Sequence, residues 1–270
     1  MNQIGANHEL SLRVSVATLA RVLFKHPKDG EMMLALERKA TVRETEKSQI
    51  VEVISQPFGG AIRIKNISRL HDLIGDLHFD SERSRVERDF RLFIRPSIWP
   101  AVREFCIEQL GQDDDPILET DPIRELVEEF DDALGLKLKP EQYTCKPVAT
   151  VVENDPTPTD NVHAEGVPTV RVYRIFEVII SDSTLMDTML ANNEMISNQE
   201  LCKLALKDAQ NGGKGRANAI LALPLNQIHA LYSTVPFTDR NTSIFIEQNR
   251  LDGSVMAILE DISQPTYQRL

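Results

Sequence analysis

Cysteine is scarce. The chain has three, Cys106, Cys145 and Cys202, far apart in 270 residues. They form neither an even disulfide framework nor a metal-ligand spacing, and read as reduced structural thiols of a cytosolic protein. No apolar run approaches the roughly 20 residues that cross a bilayer. Met1 to Leu10 lacks a basic region followed by an apolar stretch, so no signal peptide is expected. A soluble, cytoplasmic protein is the expectation. Basic residues are also in deficit: the net charge is −11, with 30 Lys and Arg against 41 Asp and Glu. That balance argues against general nucleic-acid binding, which depends on neutralising phosphates, but not against a small phosphorylated ligand held by a few local cations. No internal repeat, low-complexity segment or Gly-x-Ser-x-Gly nucleophile motif occurs, and the scattered histidines suggest no zinc site.

What is present suffices for one substantial core, since 41% of the residues are hydrophobic. Leu12 to Lys25 alternates as a strand, Pro27 to Gly30 is a turn, and Met32 to Arg38 completes a hairpin with Glu37, Arg38 and Lys39 at its exit. Ile50 to Ser55 reads as a third strand running into Pro57, Phe58, Gly59 and Gly60, with a short strand at Ala61 to Ile64. Helices are expected at Ser68 to Leu77 and Pro100 to Leu110, with a strand at Asp89 to Ile94 between them and an acidic loop from Gly111 to Pro116. Thr144 to Val152 reads as a strand with Pro147 at an edge or bulge, Asn154 to Gly166 as a long loop, and Thr169 to Ile180 as the strongest strand. Ser197 to Glu200 is a capping box opening a helix to about Gln210, and Pro224 opens another through Tyr232. Ser243 to Gln248 reads as a strand, and Ser254 to Glu260 as a strand or short helix. This mixed order gives an α/β fold rather than a doubly wound sheet.

The richest segment begins at Asp121. Asp121 is a helix cap, Pro122 costs no hydrogen bond at the helix start, and Ile123, Leu126, Val127, Phe130 and Leu134 make one apolar face. Gly135 is a good residue to end the helix. Glu125, Glu128 and Glu129 stand at i, i+3 and i+4, so their carboxylates share the opposite face. Like charges at that spacing repel by a few tenths of a kcal/mol per pair, a cost that a divalent cation would reverse. The plain alternative is a solvated acidic face. Gly212 to Arg216 is basic and flexible but lacks phosphate-loop spacing, and reads as a helix-ending loop.

The order Arg124, Glu125, Leu126, Glu128, Glu129, with Gly59 and Gly60 upstream after a strand, resembles the Nudix box. The resemblance spans about Leu12 to Tyr232, with an insertion at about 65 to 118 excluded. It implies one domain with a Nudix-like α/β/α sandwich and mixed sheet, an inserted α+β lobe at about 65–118 and a C-terminal extension at about 236–270. It implies hydrolysis of a nucleoside diphosphate linked to another group, with Mg²⁺ or Mn²⁺ held by Glu128 and Glu129, Glu125 as a further ligand or the base, and Arg124 orienting the glutamates. Gly59 and Gly60 would admit metal and phosphate closely. His163 and Glu165 lie in a loop where family members place substrate contacts or a supplementary base; a solvent-exposed loop is the competing reading. The implied partners are a nucleotide or nucleotide-sugar-like small molecule and, as an option, a second copy in a homodimer.

The departures are specific. The insertion splits the box, the isolated glutamate that the family places upstream would fall at Pro116, and the glycine expected after the double glutamate is Asp131. Asp114, Asp115 and Glu119 are near substitutes but out of register. The broken loop half leaves a second expectation, a Nudix-fold nucleotide sensor or interaction module that binds without turnover, of the kind found in bacterial nucleotide-signalling or defence systems. A structural protein is the third.

Overall fold

The computed structural model describes residues 11–44, 48–113, 115–159, 161, 163–234, 244–259 and 266–269. Its strands, in chain order, are β1 (Leu12–Lys25), β2 (Met32–Glu44), β3 (Gln49–Gln56), β4 (Phe58–Ala61), β5 (His78–Phe79), β6 (Arg91–Ile94), β7 (Tyr143–Pro158), β8 (Pro168–Ile180), β9 (Arg216–Pro224), β10 (Ile244–Ile246), β11 (Asn249–Leu251) and β12 (Thr266–Arg269). Its helices are α1 (Ile67–Ile74), α2 (Glu82–Glu87), α3 (Trp99–Leu110), α4 (Ile123–Leu134), α5 (Ser183–Met195), α6 (Asn198–Gln210), α7 (Leu225–Thr234) and α8 (Val255–Leu259). None of these helices is long and apolar enough to cross a membrane.

All the strands belong to one mixed sheet, whose main path is β10-β11-β3-β2-β1-β8-β7-β12. β1 is its axis. One edge of β1 runs parallel to β8 from Arg13 opposite Thr169 to Leu23 opposite Ile179. Its other edge is shared in turn by β6, β4 and β2, all antiparallel. A strand flanked on both edges and covered on both faces is rich in apolar residues, as LRVSVATLARVLFK is. β2 bends away from β1 to take β9 and β3 on its two edges.

Alternation along the strands sends side chains to two faces. Ala20, Val22, Phe24, Met33, Ala35, Ile220 and Ala222 pack with Leu126 and Phe130 of α4 and Leu185 and Met189 of α5. Leu19, Leu23, Leu34, Leu36, Leu221 and Leu223 pack with Ile228 of α7 and Ile258 of α8 on the other face. Ala40 and Ala219 extend that second face under Leu201 and Ala205 of α6. The α/β class is therefore observed, with an open mixed sheet and helices on both sides. The segment from 65 to 118 covers the N-terminal half of β1: Leu70, Phe90, Leu92, Val102, Cys106 and Leu110 share one core with Val14, Val16, Val170 and Val172. Its strand β6 hydrogen-bonds directly to β1, so the segment is an extension of the main sheet and core.

Several sequence readings change. The short strand expected at Ala61 to Ile64 is Phe58–Ala61: Pro57 has no N–H for the β2 ladder, so the chain leaves β3 there and pairs with β1 instead. The loop expected at Asn154 to Gly166 is strand as far as Pro158, because β8 pairs with it across a register shift between Glu153 and Thr157. Pro147 sits at a second register shift, as an edge-or-bulge proline should. Ser254 to Glu260 is helical over Val255–Leu259. Strands β5, β9, β11 and β12 and helices α2 and α5 have no counterpart in the sequence reading. Met1 to Leu10, Asp114, Ser243 and Glu260 lie outside the described residues, and the expected C-terminal extension is described over 244–259 and 266–269.

Candidate functional site

Helix α4 starts where its capping residues put it. The Asp121 carboxylate accepts the Ile123 N–H at 2.8 Å, and Gly135 closes the other end at φ 65° with its N–H on the Asp131 carbonyl. The apolar face buries Leu126, Phe130 and Ala133. Phe130 packs against Phe58 at 4.7 Å between ring centroids, which sets the helix directly over β4.

Two glycines make that approach feasible. Gly59 has φ 143°, and a Cβ there would lie 3.0 Å from the Cα of Leu19 and closer still to the Thr18 carbonyl oxygen. At Gly60 a Cβ would lie 2.5 Å from the Cδ of Glu125. The space a side chain would fill at Gly60 is occupied by the Glu125 carboxylate. One turn on, Glu129 Oε2 accepts the Gly59 N–H at 2.6 Å. Gly59, Gly60, Glu125 and Glu129 are thus brought together. Arg124 pairs with Glu125, with Glu119 at 3.2 Å and with Glu128 at 3.8 Å. Glu128 faces outward with a side chain 62% exposed. Of the three glutamates expected on one face, two line the glycines and the third, Glu128, stands outside them beside Arg124.

Glu37 of β2, at the exit of the β1–β2 hairpin, joins this cluster. Its side chain is 0% exposed. Oε2 accepts from Gln56 Nε2 at 2.9 Å, whereas Oε1 has no hydrogen-bond donor, the Lys39 ammonium standing 3.6 Å away. The signal was present: Met33, Ala35 and Glu37 alternate onto one face, so the pattern points a carboxylate inward. Burial, and then the charges of Glu37 and Glu125, push Glu129 well above the usual carboxylate range; the Gly59 N–H and Lys39 offset part of this. Asp89, just before β6, is raised by burial and by Glu87 and Glu125 against the opposing charge of Arg91. Carboxyl groups are therefore crowded around Glu129, and its burial favours the form that carries a proton.

Other sequence candidates stand elsewhere. His163 and Glu165 are exposed in the turn between β7 and β8. That turn lies beyond Thr169, which is opposite Arg13, whereas Gly60 is opposite Thr18. The offset from Arg13 to Thr18 is about 16 Å along β1 at ~3.3 Å per residue. Gly212 to Gly215 is a helix-ending loop, with Arg216 opening β9: the Gly215 N–H donates to Asp208 Oδ2 at 2.9 Å.

The donor chemistry suits a hard divalent cation. Glu125 lies over Gly60 and Glu129 binds Gly59, one oxygen of buried Glu37 lacks a donor, and Glu129 carries an electrostatic cost that a cation would relieve. In the present side-chain arrangement Arg124 and the Gly59 N–H hold the carboxylates, and among the described residues no three His, Cys, Asp or Glu are gathered as a metal-binding group. Comparison with protein-family models, with curated proteins and with solved structures finds no match for this chain.

Proposed function

We propose that this protein is a divergent Nudix-type hydrolase acting on a nucleoside diphosphate linked to another group, with Mg²⁺ or Mn²⁺ as cofactor. The observation that carries the reading is the seating of Glu125 over Gly60 while the Gly59 N–H binds Glu129. A helix presenting carboxylates onto a strand of glycines is what the resemblance to the Nudix box implies, and the mixed sheet with helices on both faces supports a Nudix-like α/β/α sandwich. Glu125 and Glu129, with Glu128 swinging in from outside, would hold the metal. Bound there, the metal would supply positive charge to the diphosphate and lower the pKa of an attacking water. Arg124 fixes the Glu125 carboxylate from outside and keeps its own charge, since its hydrogen bonds to Glu119 and Glu125 outweigh the effect of burial. Gly60 admits the Glu125 carboxylate against the strand, where any larger residue would exclude it. The test is a nucleotide and nucleotide-sugar panel with Mg²⁺ and Mn²⁺, read by product mass. Glu128→Gln with Glu129→Gln should abolish metal-dependent turnover while the protein stays folded. Retained turnover in that variant refutes the reading.

A second reading, a nucleotide sensor that binds without hydrolysis, is favoured by the outward Glu128 and by the engagement of Glu125 with Arg124. Calorimetry beside the product assay separates the two. A ligand that binds in a metal-dependent way and stays intact with either metal supports the sensor.

A further inference from the structure

One row of polar residues crosses the sheet on the face that carries α4. Gly60 is opposite Thr18 of β1, Thr18 is beside Arg174 of β8, and Arg174 is opposite Thr150 of β7. Thr18, Arg174 and Thr150 are all buried. The row separates two apolar clusters. Val14, Val16, Val170 and Val172 lie on one side of it, and Ala20, Val22, Val178 and Ile180 on the other. Gly60 and Arg174 are two strand spacings apart, about 10 Å.

Arg174 is inadequately served by the protein. Its side chain is 4% exposed, yet the carboxylate it binds, Asp113 at 3.1 Å, is 91% exposed. Its Nη1 donates to the Gln112 carbonyl at 2.5 Å, the guanidinium stands 5.2 Å from the centre of the Phe176 ring, and Nε has no acceptor. Arg13 shows how this fold satisfies a buried structural arginine: Nε and Nη2 both donate to Asp80, whose side chain is 1% exposed. Asp115, the other acid close to Arg174, spends one carboxylate oxygen on the N–H groups of Ile117 and Leu118. Burial lowers the Arg174 pKa, and Asp113 and Asp115 restore part of the shift.

We propose that Arg174 is an anion subsite on the floor of the Gly59–Gly60 site, taking a phosphate oxygen of a diphosphate, and that Asp113 occupies it as an internal competitor until such an anion displaces it. That the anion belongs to the substrate rests on the proposed function; the subsite itself does not. A diphosphate reaching from Gly60 toward Arg174 would gain a paired guanidinium in a poorly solvated row, where charge-assisted hydrogen bonds are strongest.

Pyrophosphate titrated by calorimetry in EDTA tests this without any metal. Asp113→Asn removes the competitor on an exposed loop and should tighten binding by up to about fivefold, the worth of an exposed ion pair. Arg174→Gln should weaken it by about 10- to 100-fold, and Arg174→Lys, which retains the charge should the glutamine variant not fold, should fall between. Unchanged or weaker binding in Asp113→Asn, or parental binding in Arg174→Gln or Arg174→Lys, overturns the proposal. Failure of the hydrolase and sensor readings would look different: Mg²⁺ would add neither affinity nor turnover while the titration in EDTA behaved as expected.

Discussion

Replacing Gly59 and then Gly60 by alanine separates the fold from the site. At Gly59 the added methyl meets only β1 backbone, with Leu19 Cα at 3.0 Å and the Thr18 carbonyl nearer, and φ 143° is a conformation that alanine rarely adopts. A conformation of that kind costs about 1–3 kcal/mol, and overpacking against an immobile strand adds about 1–3. The sum, about 2–6 kcal/mol, is a large part of the 5–15 kcal/mol typical of a native protein. At Gly60 the methyl meets the Glu125 side chain, with Cγ at 3.0 Å and Cδ at 2.5 Å, and φ is unexceptional. Glu125 escapes by changing rotamer at a cost of about 0.5–1.5 kcal/mol, offset by about 0.4–1 kcal/mol from a less flexible unfolded chain. Thermal melting should therefore fall by roughly 5 °C or more for Gly59→Ala and by no more than about 3 °C for Gly60→Ala. Gly60→Ala should nevertheless lose metal-dependent nucleotide binding, because the carboxylate that lies over the glycine has been expelled. Equal destabilisation by the two changes, or undiminished metal-dependent binding in a folded Gly60→Ala variant, would refute the reasoning.

Glu129→Gln should flatten the pH dependence of stability. The folded protein holds this proton more tightly than the unfolded chain, so stability present at low pH is lost as pH rises from about 4.3 toward the raised folded value; denaturant melts of parent and variant across that window should converge at its acid end. Asp80 behaves oppositely. Burial alone would raise its pKa, but hydrogen bonds from Ser84 and Arg13 outweigh it, so its contribution holds above about 3.9 and is lost as pH falls further. Asp80→Asn, which leaves Arg13 buried without its countercharge, should cost about 3–5 kcal/mol in denaturant unfolding at pH 7. Phe130→Ala removes the ring on Phe58 and should cost about 3–5 kcal/mol, with metal-dependent nucleotide binding lost in the fraction that remains folded, because that contact is what seats α4 over the glycines.

Local signals carried much of this molecule. The bounds of β1, the Ser197 cap whose hydroxyl accepts the Glu200 N–H, and the span of α4 with Asp121 at one end and Gly135 at the other follow from periodicity and from residues only a few positions apart. So does the alternation that points Glu37 inward. Neither the neighbour of each strand nor the rotation of each helix is written at that range. Strand β9, RANAILALP, is too rich in alanine to announce itself and exists through its pairing with β2. Helix α5 has an Asp182 cap, but Leu185 and Met189 are its only fully buried side chains, so its apolar stripe is faint. The i, i+3, i+4 spacing put three glutamates on one side of α4 and could not say which would face the glycines; Phe130 on Phe58 fixed the rotation, leaving Glu125 and Glu129 over the strand and Glu128 outside. The alignment of Gly60, Thr18, Arg174 and Thr150 depends on register among four strands distant in the chain. Sequence determined the elements because caps and periodicity act between near neighbours; only the tertiary structure decided which charges share a buried site, because register and helix rotation are settled by packing between distant segments.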